Sequence, residues 1–326
     1  MIAFLHRAIL ISIPLLYGAT GETITEKSGH LNLGIPGIMY VGAISGVIGG
    51  FLYEYGVGRE NMVPALAILI PLVCCLLGSL IMGLIYSFLT VTLRANQNVT
   101  GLALTTLGTG IGNFFGGSLI KLTNTDVPSV VLSGISNYYQ KPLPFAEKLG
   151  WFGELFFNYG FLVYLAILIA LITAFVMRKT RVGLHLRAVG ENPATADAAG
   201  INVNAYKYVA TAIGSMIAGL GGLQFIMDYS SGIWGNNSFG DRGWLAIALV
   251  IFTVWRTDLG ILGAIVFGGL LIIHLYIPGI GVADQELFKM MPYIVTIIVL
   301  IIVSAREKRE SQPPQSLGQS YFREDR

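Results

Sequence analysis

The sequence predicts an all-α, polytopic helical membrane protein, and three observations predict it. Of 326 residues, 54% are hydrophobic and only 12% are charged, about half the charged share of an ordinary soluble domain. Apolar runs near the ~20 residues needed to cross a bilayer recur along the chain. Glycine, 41 residues in all, falls in stripes at four-residue spacing: Gly42/Gly46/Gly50, Gly108/Gly112/Gly116, Gly214/Ala218/Gly222 and Gly260/Ala264/Gly268. Such stripes are what helices show when they pack backbone against backbone.

Taken in order, about nine apolar segments can be marked. Residues 8–20 give a short first segment, and Glu22, Glu26 and Lys27 then read as a polar connection before residues 35–53. Residues 62–89 form a long, charge-free stretch, and 99–120 follow the polar run Arg94–Asn98. Asn98-Val99-Thr100 has the form of a glycosylation sequon but abuts an apolar segment, so it reads as a helix start. The loop 121–156, with Pro128, Pro142 and Pro144 and balanced charge, is the best candidate for an external surface. Segments at 157–177, 206–227, 259–277 and 289–304 complete the long ones. Ser230 to Arg242 is rich in Gly and Asn, and Gly243 to Trp255 is too short to span, which predicts a broken or re-entrant helix there. Residues 21–37 are a second candidate break. Gly29-His30-Leu31 and Gly243-Trp244-Leu245 both lie where a polar loop enters an apolar helix, a weak internal repeat. The adjacent Cys74 and Cys75 cannot form a conventional structural disulfide and read as packing residues.

The loop 178–206 carries Arg178, Lys179, Arg181 and Arg187 with no acidic residue before Glu191, which places it on the cytoplasmic side. Arg306, Lys308 and Arg309 do the same for the C-terminus. One membrane domain therefore covers 1–304, and the polar segment 305–326, with Pro313 and Pro314, reads as a disordered cytoplasmic tail. Within the loop, Asn192 can cap a helix, Pro193 fits its first position and Gly200 can end it in the left-handed conformation. So short and smooth a helix fits either a docking element or a connector lying on the membrane surface.

Catalytic chemistry is not in evidence. There is no metal-binding cluster, no nucleophile–base set in a recognisable context and no GxxxxGK[ST] phosphate loop, so no cofactor is expected in this chain. The segments 35–53, 62–89, 99–120, 157–177, 208–227 and 243–255 contain no Asp, Glu, Lys, Arg or His, which argues against proton coupling. Their surroundings offer neutral polar groups instead: Asn32, Thr105, Thr106, Asn113, Gln224, Asn236, Asn237 and Ser238. These suit an uncharged, hydrogen-bonding solute, although each also reads as an interhelical hydrogen bond.

Three stretches then carry a resemblance. Gly21 to Met39 (GETITEKSGHLNLGIPGIM) resembles the E-(K/R)-(S/A)-G-x-x-N-(L/I)-G signature of membrane permeases from ABC importers for simple sugars and nucleosides. Thr180 to Ile201 is similar to that family's cytoplasmic loop, and Arg242 to Phe252 to its third recurring segment. Pro36 and Ile38 depart from the Glu and Met that many members carry. The resemblance implies a bacterial inner-membrane permease paired with a second permease subunit, homomeric or heteromeric. It also implies an ATP-binding-cassette ATPase that binds the ATP, and a substrate-binding lipoprotein. Glu191, Asn192, Pro193, Asp197 and Gly200 would then belong to a coupling helix docked on the ATPase. A small neutral solute and the lipid bilayer are the remaining partners, and no nucleic acid polymer is expected. The rival expectation is a self-sufficient secondary carrier or channel.

Overall fold

The computed structural model describes residues 2–123, 129–144, 146–279, 281–305 and 312–322. Pro128, Arg306, Lys308 and Arg309, on which parts of the sequence reading rest, lie outside them. Each of the nine apolar segments becomes a helix, and among the described residues seven helices are long and apolar enough to cross a membrane.

The first helix, α1 (Ile2–Lys27), corrects the expectation of a short segment followed by a polar loop. It runs straight through the GETITEK stretch because the interior supplies partners for its polar side chains. Thr23 and Thr25 return their hydroxyls to the carbonyls of Ala19 and Gly21, Glu22 accepts from the Asn32 amide and Glu26 accepts from the Trp255 indole N–H. Glu22 and Glu26 are fully buried, as are Lys207 and Asp228 at the two ends of a later helix. The six apolar segments lack Asp, Glu, Lys, Arg and His, but the interior holds these four, so proton coupling is not excluded by their absence.

After a non-helical stretch at 28–34 comes α2 (Ile35–Val57), opened by Pro36. It is followed by α3 (Pro64–Ser87), extended by one π-helical turn, Phe88–Thr92. The fourth helix, α4 (Gln97–Thr123), begins one residue before the sequon, and its cap is Asn96, whose side chain accepts from the Val99 amide. The loop 121–156 is folded rather than plain: strand β1 (Val130–Val131) and helices α5 (Ser133–Tyr139) and α6 (Gly150–Phe156) lie within it. Buried Glu54 ties it down by accepting from Arg59 and from the Ile135 amide at the head of α5.

Helix α7 (Phe161–Lys179) leads into two cytoplasm-assigned helices, α8 (Arg181–Glu191) and α9 (Pro193–Ala198). The first of these was not read from the sequence. It is amphipathic, burying Gly183, Leu186, Val189 and Gly190 while Arg181 and Arg187 face out. Next, α10 (Val203–Gln224) closes with a π turn, Phe225–Tyr229, and β2 (Ile233–Trp234) pairs antiparallel with β1, Val130 opposite Trp234. The predicted break follows. The 11-residue α11 (Arg242–Phe252) is too short to span and is buried along most of its length. Helices α12 (Thr257–Ile272) and α13 (Val282–Ala305) complete the bundle.

The glycine stripes lie where helices touch. A Cβ on Gly42 would stand 2.7 Å from the Cα of Gly219, one on Gly108 2.6 Å from the Cα of Gly37, and one on Gly222 2.0 Å from the carbonyl of Met39. Close backbone approach of this kind is what drives association where no hydrophobic effect separates helix from lipid. The two broken regions also meet, with Gly243 in the first turn of α11 packed on the Cα of Pro36 at the head of α2. Cys75 is buried and Cys74 packs on Gly49, both as free thiols.

The expectation of disorder over 305–326 does not hold for 312–322. This segment folds back over the ends of α1 and α8, where helix termini leave carbonyls without intrahelical partners. Ser316 donates both its amide (3.0 Å) and its hydroxyl (2.6 Å) to the Gly190 carbonyl, and the Gly318 amide donates to the Gly29 carbonyl.

Candidate functional site

The non-helical stretch 28–34 is the first of three places where predicted site residues gather. A chain that leaves helical geometry inside a membrane protein must find partners for its backbone groups, and here they come from all sides. The Leu31 amide donates to Gln97 Oε1 (2.8 Å) and its carbonyl accepts from the Tyr86 hydroxyl (2.6 Å). The Asn32 amide donates to Glu22 Oε1, the Leu33 carbonyl accepts from Thr105 Oγ1 (2.8 Å), and the Gly34 amide donates to Asn32 Oδ1 (2.9 Å). Asn32 and Thr105 are thus brought together. Among the described residues the Nδ2 of Asn32 and the Oε2 of Glu22, both fully buried, have no hydrogen-bond partner. His30 sits here too, its Nδ1 3.2 Å from Thr211 Oγ1, and burial together with nearby Lys207 holds its pKa well below the ordinary histidine value. Thr106 points the other way: it is exposed and bonds only to Leu102 in its own helix.

Eight residues further along α4, about 12 Å at 1.5 Å per residue, lies the second group. Asn113 Oδ1 accepts from the Tyr40 hydroxyl (2.6 Å), Asn113 Nδ2 donates to Asn237 Oδ1 (2.9 Å), and the Asn237 amide donates to the Tyr40 oxygen (2.9 Å). This closed ring joins α2, α4 and the 230–241 break. Asn237 holds a left-handed backbone (φ +58°), which asparagine tolerates better than most residues. Asn236 and Ser238 flank it and are exposed, with Asn236 lying against Gly116 of α4. Sequence reasoning missed Tyr40, which looks like one more apolar residue of α2, and it underrated Asn237 beside its two neighbours. Gln224 joins neither group: it is fully buried and reaches only Asp228, at 3.4 Å.

The third place is α9. Asn192 Oδ1 accepts from the Thr195 amide (3.0 Å), Pro193 occupies the first turn, and Gly200 ends the turn at φ +84° with its amide on the Asp197 carbonyl. The local chemistry is as the sequence predicts. Ala196 packs inward against Val189 and Val203, while Glu191, Asn192, Ala194 and Thr195 face out. Asp197 is half-buried and accepts from the Tyr321 hydroxyl (3.1 Å). Among the described residues no group of His, Cys, Asp and Glu could hold a metal ion.

Chemically, this is a bundle with two hydrogen-bonding levels along α4 and a small outward-facing helix. Three relatives share most of its length. A putative glucose ABC transporter permease protein of Haloferax volcanii is 30% identical, with 98% of this chain and 97% of the relative covered. A nucleoside ABC transporter permease protein of Lactococcus lactis subsp. cremoris is 32% identical, covering 90% of each. A guanosine ABC transporter permease protein of Bacillus subtilis is 29% identical, over 90% and 89%. The model of the family described as branched-chain amino acid transport system / permease component matches residues 4–300, and with its continuous helical bundle the chain belongs to that family of multi-pass membrane permeases.

Proposed function

We propose that this chain is the membrane-spanning subunit of an ATP-driven importer for nucleosides or simple sugars. The ATP is bound and hydrolysed by a separate ATPase subunit, a second permease subunit completes the pathway, and a substrate-binding lipoprotein delivers the solute. The observation that carries this reading is α9: a capped, two-sided helix whose exposed face has almost no bulk, on a chain of this permease family. Relatives that transport glucose, nucleosides and guanosine by name support the solute class, as do the neutral polar groups of the Tyr40–Asn113–Asn237 ring.

In this reading ATP closes the ATPase dimer, α9 moves with it, and the attached helices close one side of the pathway while opening the other. Asn32, Thr105, Asn113, Asn236 and Ser238 are the groups assigned to the pathway. Thr106, on the exposed face of α4, faces the second permease subunit or the pathway between the two. The membrane is the bacterial inner membrane, with 178–206 and the C-terminus on the cytoplasmic side.

The test is uptake of labelled nucleosides and pentoses into vesicles holding the chain with its neighbouring gene products, wild type against Ala194→Arg on the exposed face of α9. Loss of both uptake and ATPase co-purification is the expected result. Equilibration of solute by the chain alone, indifferent to the substitution, would make it a self-sufficient carrier or channel.

A further inference from the structure

Segment 312–322 touches α9, the 28–34 break and the start of α4 together. Between Pro314 and Gln319 it makes a tight turn, with the Leu317 amide on Pro314, the Gln319 amide on Ser316, and Gly318 at φ +80°. The turn seats against Gly29 so closely that a Cβ there would stand 2.6 Å from Ser316 Oγ. From it the chain runs outward in both directions of function. Toward the membrane core, the Gln319 carbonyl accepts from Gln97 Nε2 (3.1 Å), and the same Gln97 side chain holds the Leu31 amide through Oε1. Toward the cytoplasm-assigned surface, the ring of Tyr321 packs on the buried side of α9 beside Val189, Ala196 and Val203, and its hydroxyl bonds Asp197. Phe322 lies under the Arg94 guanidinium at 4.7 Å, just before α4.

The helix–helix contacts of α9 are chiefly with its chain neighbours α8 and α10. A direct hydrogen-bonded link from α9 to α4 runs through Asp197, Tyr321, Gln319 and Gln97, and ends on the break that carries Asn32. Two side chains, Tyr321 and Gln97, close that line, and each bonds across more than 60 residues of sequence.

We propose that residues 312–322 are a strap that makes the start of α4 and the 28–34 break follow α9, with Tyr321 and Gln97 as its positioning residues. The proposal rests on the coupling role assigned to α9 above. Its contacts are hydrogen bonds, the Tyr321 hydroxyl on the Asp197 carboxylate and the Gln97 amide bonds, and ring packing, with Phe322 under the Arg94 guanidinium. Loosening it leaves the ATPase docked on the exposed face of α9, because the hydrogen bonds and ring contacts just described fall on Asp197, Gln97 and Arg94, and the docking face is carried by Ala194 and Thr195. Hydrolysis then continues while the membrane helices no longer follow.

The experiment uses the assembled transporter in proteoliposomes, comparing wild type, Tyr321→Phe, Tyr321→Ala, Gln97→Ala and the Tyr321→Ala/Gln97→Ala pair. Measured together are ATPase co-purification, ATP hydrolysis and solute uptake. The expected result is unchanged co-purification, hydrolysis within about twofold of wild type, and ATP consumed per solute raised about tenfold in either alanine variant, inside the range that residues along a coupling line produce. The pair should be no worse than the stronger single variant, since both break one line. Tyr321→Phe, which keeps the ring and loses only the hydroxyl, covers the case in which Tyr321→Ala fails to insert, and it should show the same change at smaller size. Uptake and hydrolysis falling in proportion, an unmoved ratio, or effects that multiply in the pair would each overturn the strap. Failure of the coupling reading itself is separate: the wild-type chain would not retain the ATPase, or Ala194→Arg would not release it.

Discussion

Gly21 of α1 and Gly214 of α10 meet backbone to backbone. A Cβ on Gly21 would stand 2.2 Å from the Gly214 carbonyl oxygen, and a Cβ on Gly214 would stand 2.5 Å from the Gly21 oxygen. The approach is reciprocal and both oxygens are backbone, although a Cβ on Gly214 would also meet Thr25 Oγ1 at 2.4 Å. It sets the crossing of the two helices that bracket Glu22, Glu26, His30 and Thr211.

Gly21→Ala and Gly214→Ala should therefore separate α1 from α10 and cost about 1–3 kcal/mol each, the usual penalty of overpacking. Thermal unfolding in detergent checks this. Gly56→Ala, at a position with nothing within 4 Å of the added carbon, should leave the midpoint unchanged, and equal losses at all three sites would count against backbone contact as the cause.

Asn192→Ala removes the cap of α9 and should destabilise that turn by about 1 kcal/mol. Amide hydrogen exchange over 193–200 should then run about fivefold faster, the factor that energy implies. Gly200→Ala acts at the other end, where φ is +84°, and should show a change of similar size. Unaltered exchange in both would mean that neighbouring contacts, and not the caps, hold the helix.

Asn113→Ala and Asn32→Ala should differ in kind. The first breaks a half-exposed ring with Tyr40 and Asn237, so membrane yield stays normal while KM for uptake rises about fivefold, as for loss of one hydrogen bond. The second strips the Gly34 amide of its acceptor in a fully buried site and should lower the yield of folded protein. A normal KM in Asn113→Ala would remove that residue from the pathway.

His30 makes stability depend on pH in a defined direction. Its folded pKa is depressed by burial and by Lys207, so below the ordinary value of about 6.5 the unfolded chain takes up a proton that the folded chain excludes. Stability from this group is fully present above that pH and is lost as pH falls. Unfolding in detergent at pH 5 against pH 7.5 should show a smaller pH effect in His30→Gln than in wild type, and identical profiles would refute the assignment.

Local chemistry was legible in the sequence wherever one short stretch contains both partners. Asn192, Pro193 and Gly200 lie within nine residues and specify α9 by capping alone. The glycine stripes specify which helix faces can come close, and hydropathy marks all nine membrane-level helices, even though α4 is too polar and α11 too short to qualify as spans by themselves. Hydropathy failed at Glu22 and Glu26 because a helix is ended by loss of backbone partners and not by charge, and the two carboxylates found donors in the interior, one in the Asn32 amide ten residues on and one in the indole of Trp255, 229 residues away.

What this sequence determined by itself is the class of protein, its permease signature and the small capped helix α9, all of which rest on periodicity, composition or spacing within a few turns. Only the tertiary structure decided which polar groups share a site. Tyr40 finds Asn113 across 73 residues and the Asn237 amide across 197, and Gln97 finds the carbonyl of Gln319 across 222. No local pattern encodes such pairs. They exist because a backbone that breaks inside a packed bundle must satisfy its amides and carbonyls with whatever the folded chain brings within hydrogen-bonding reach.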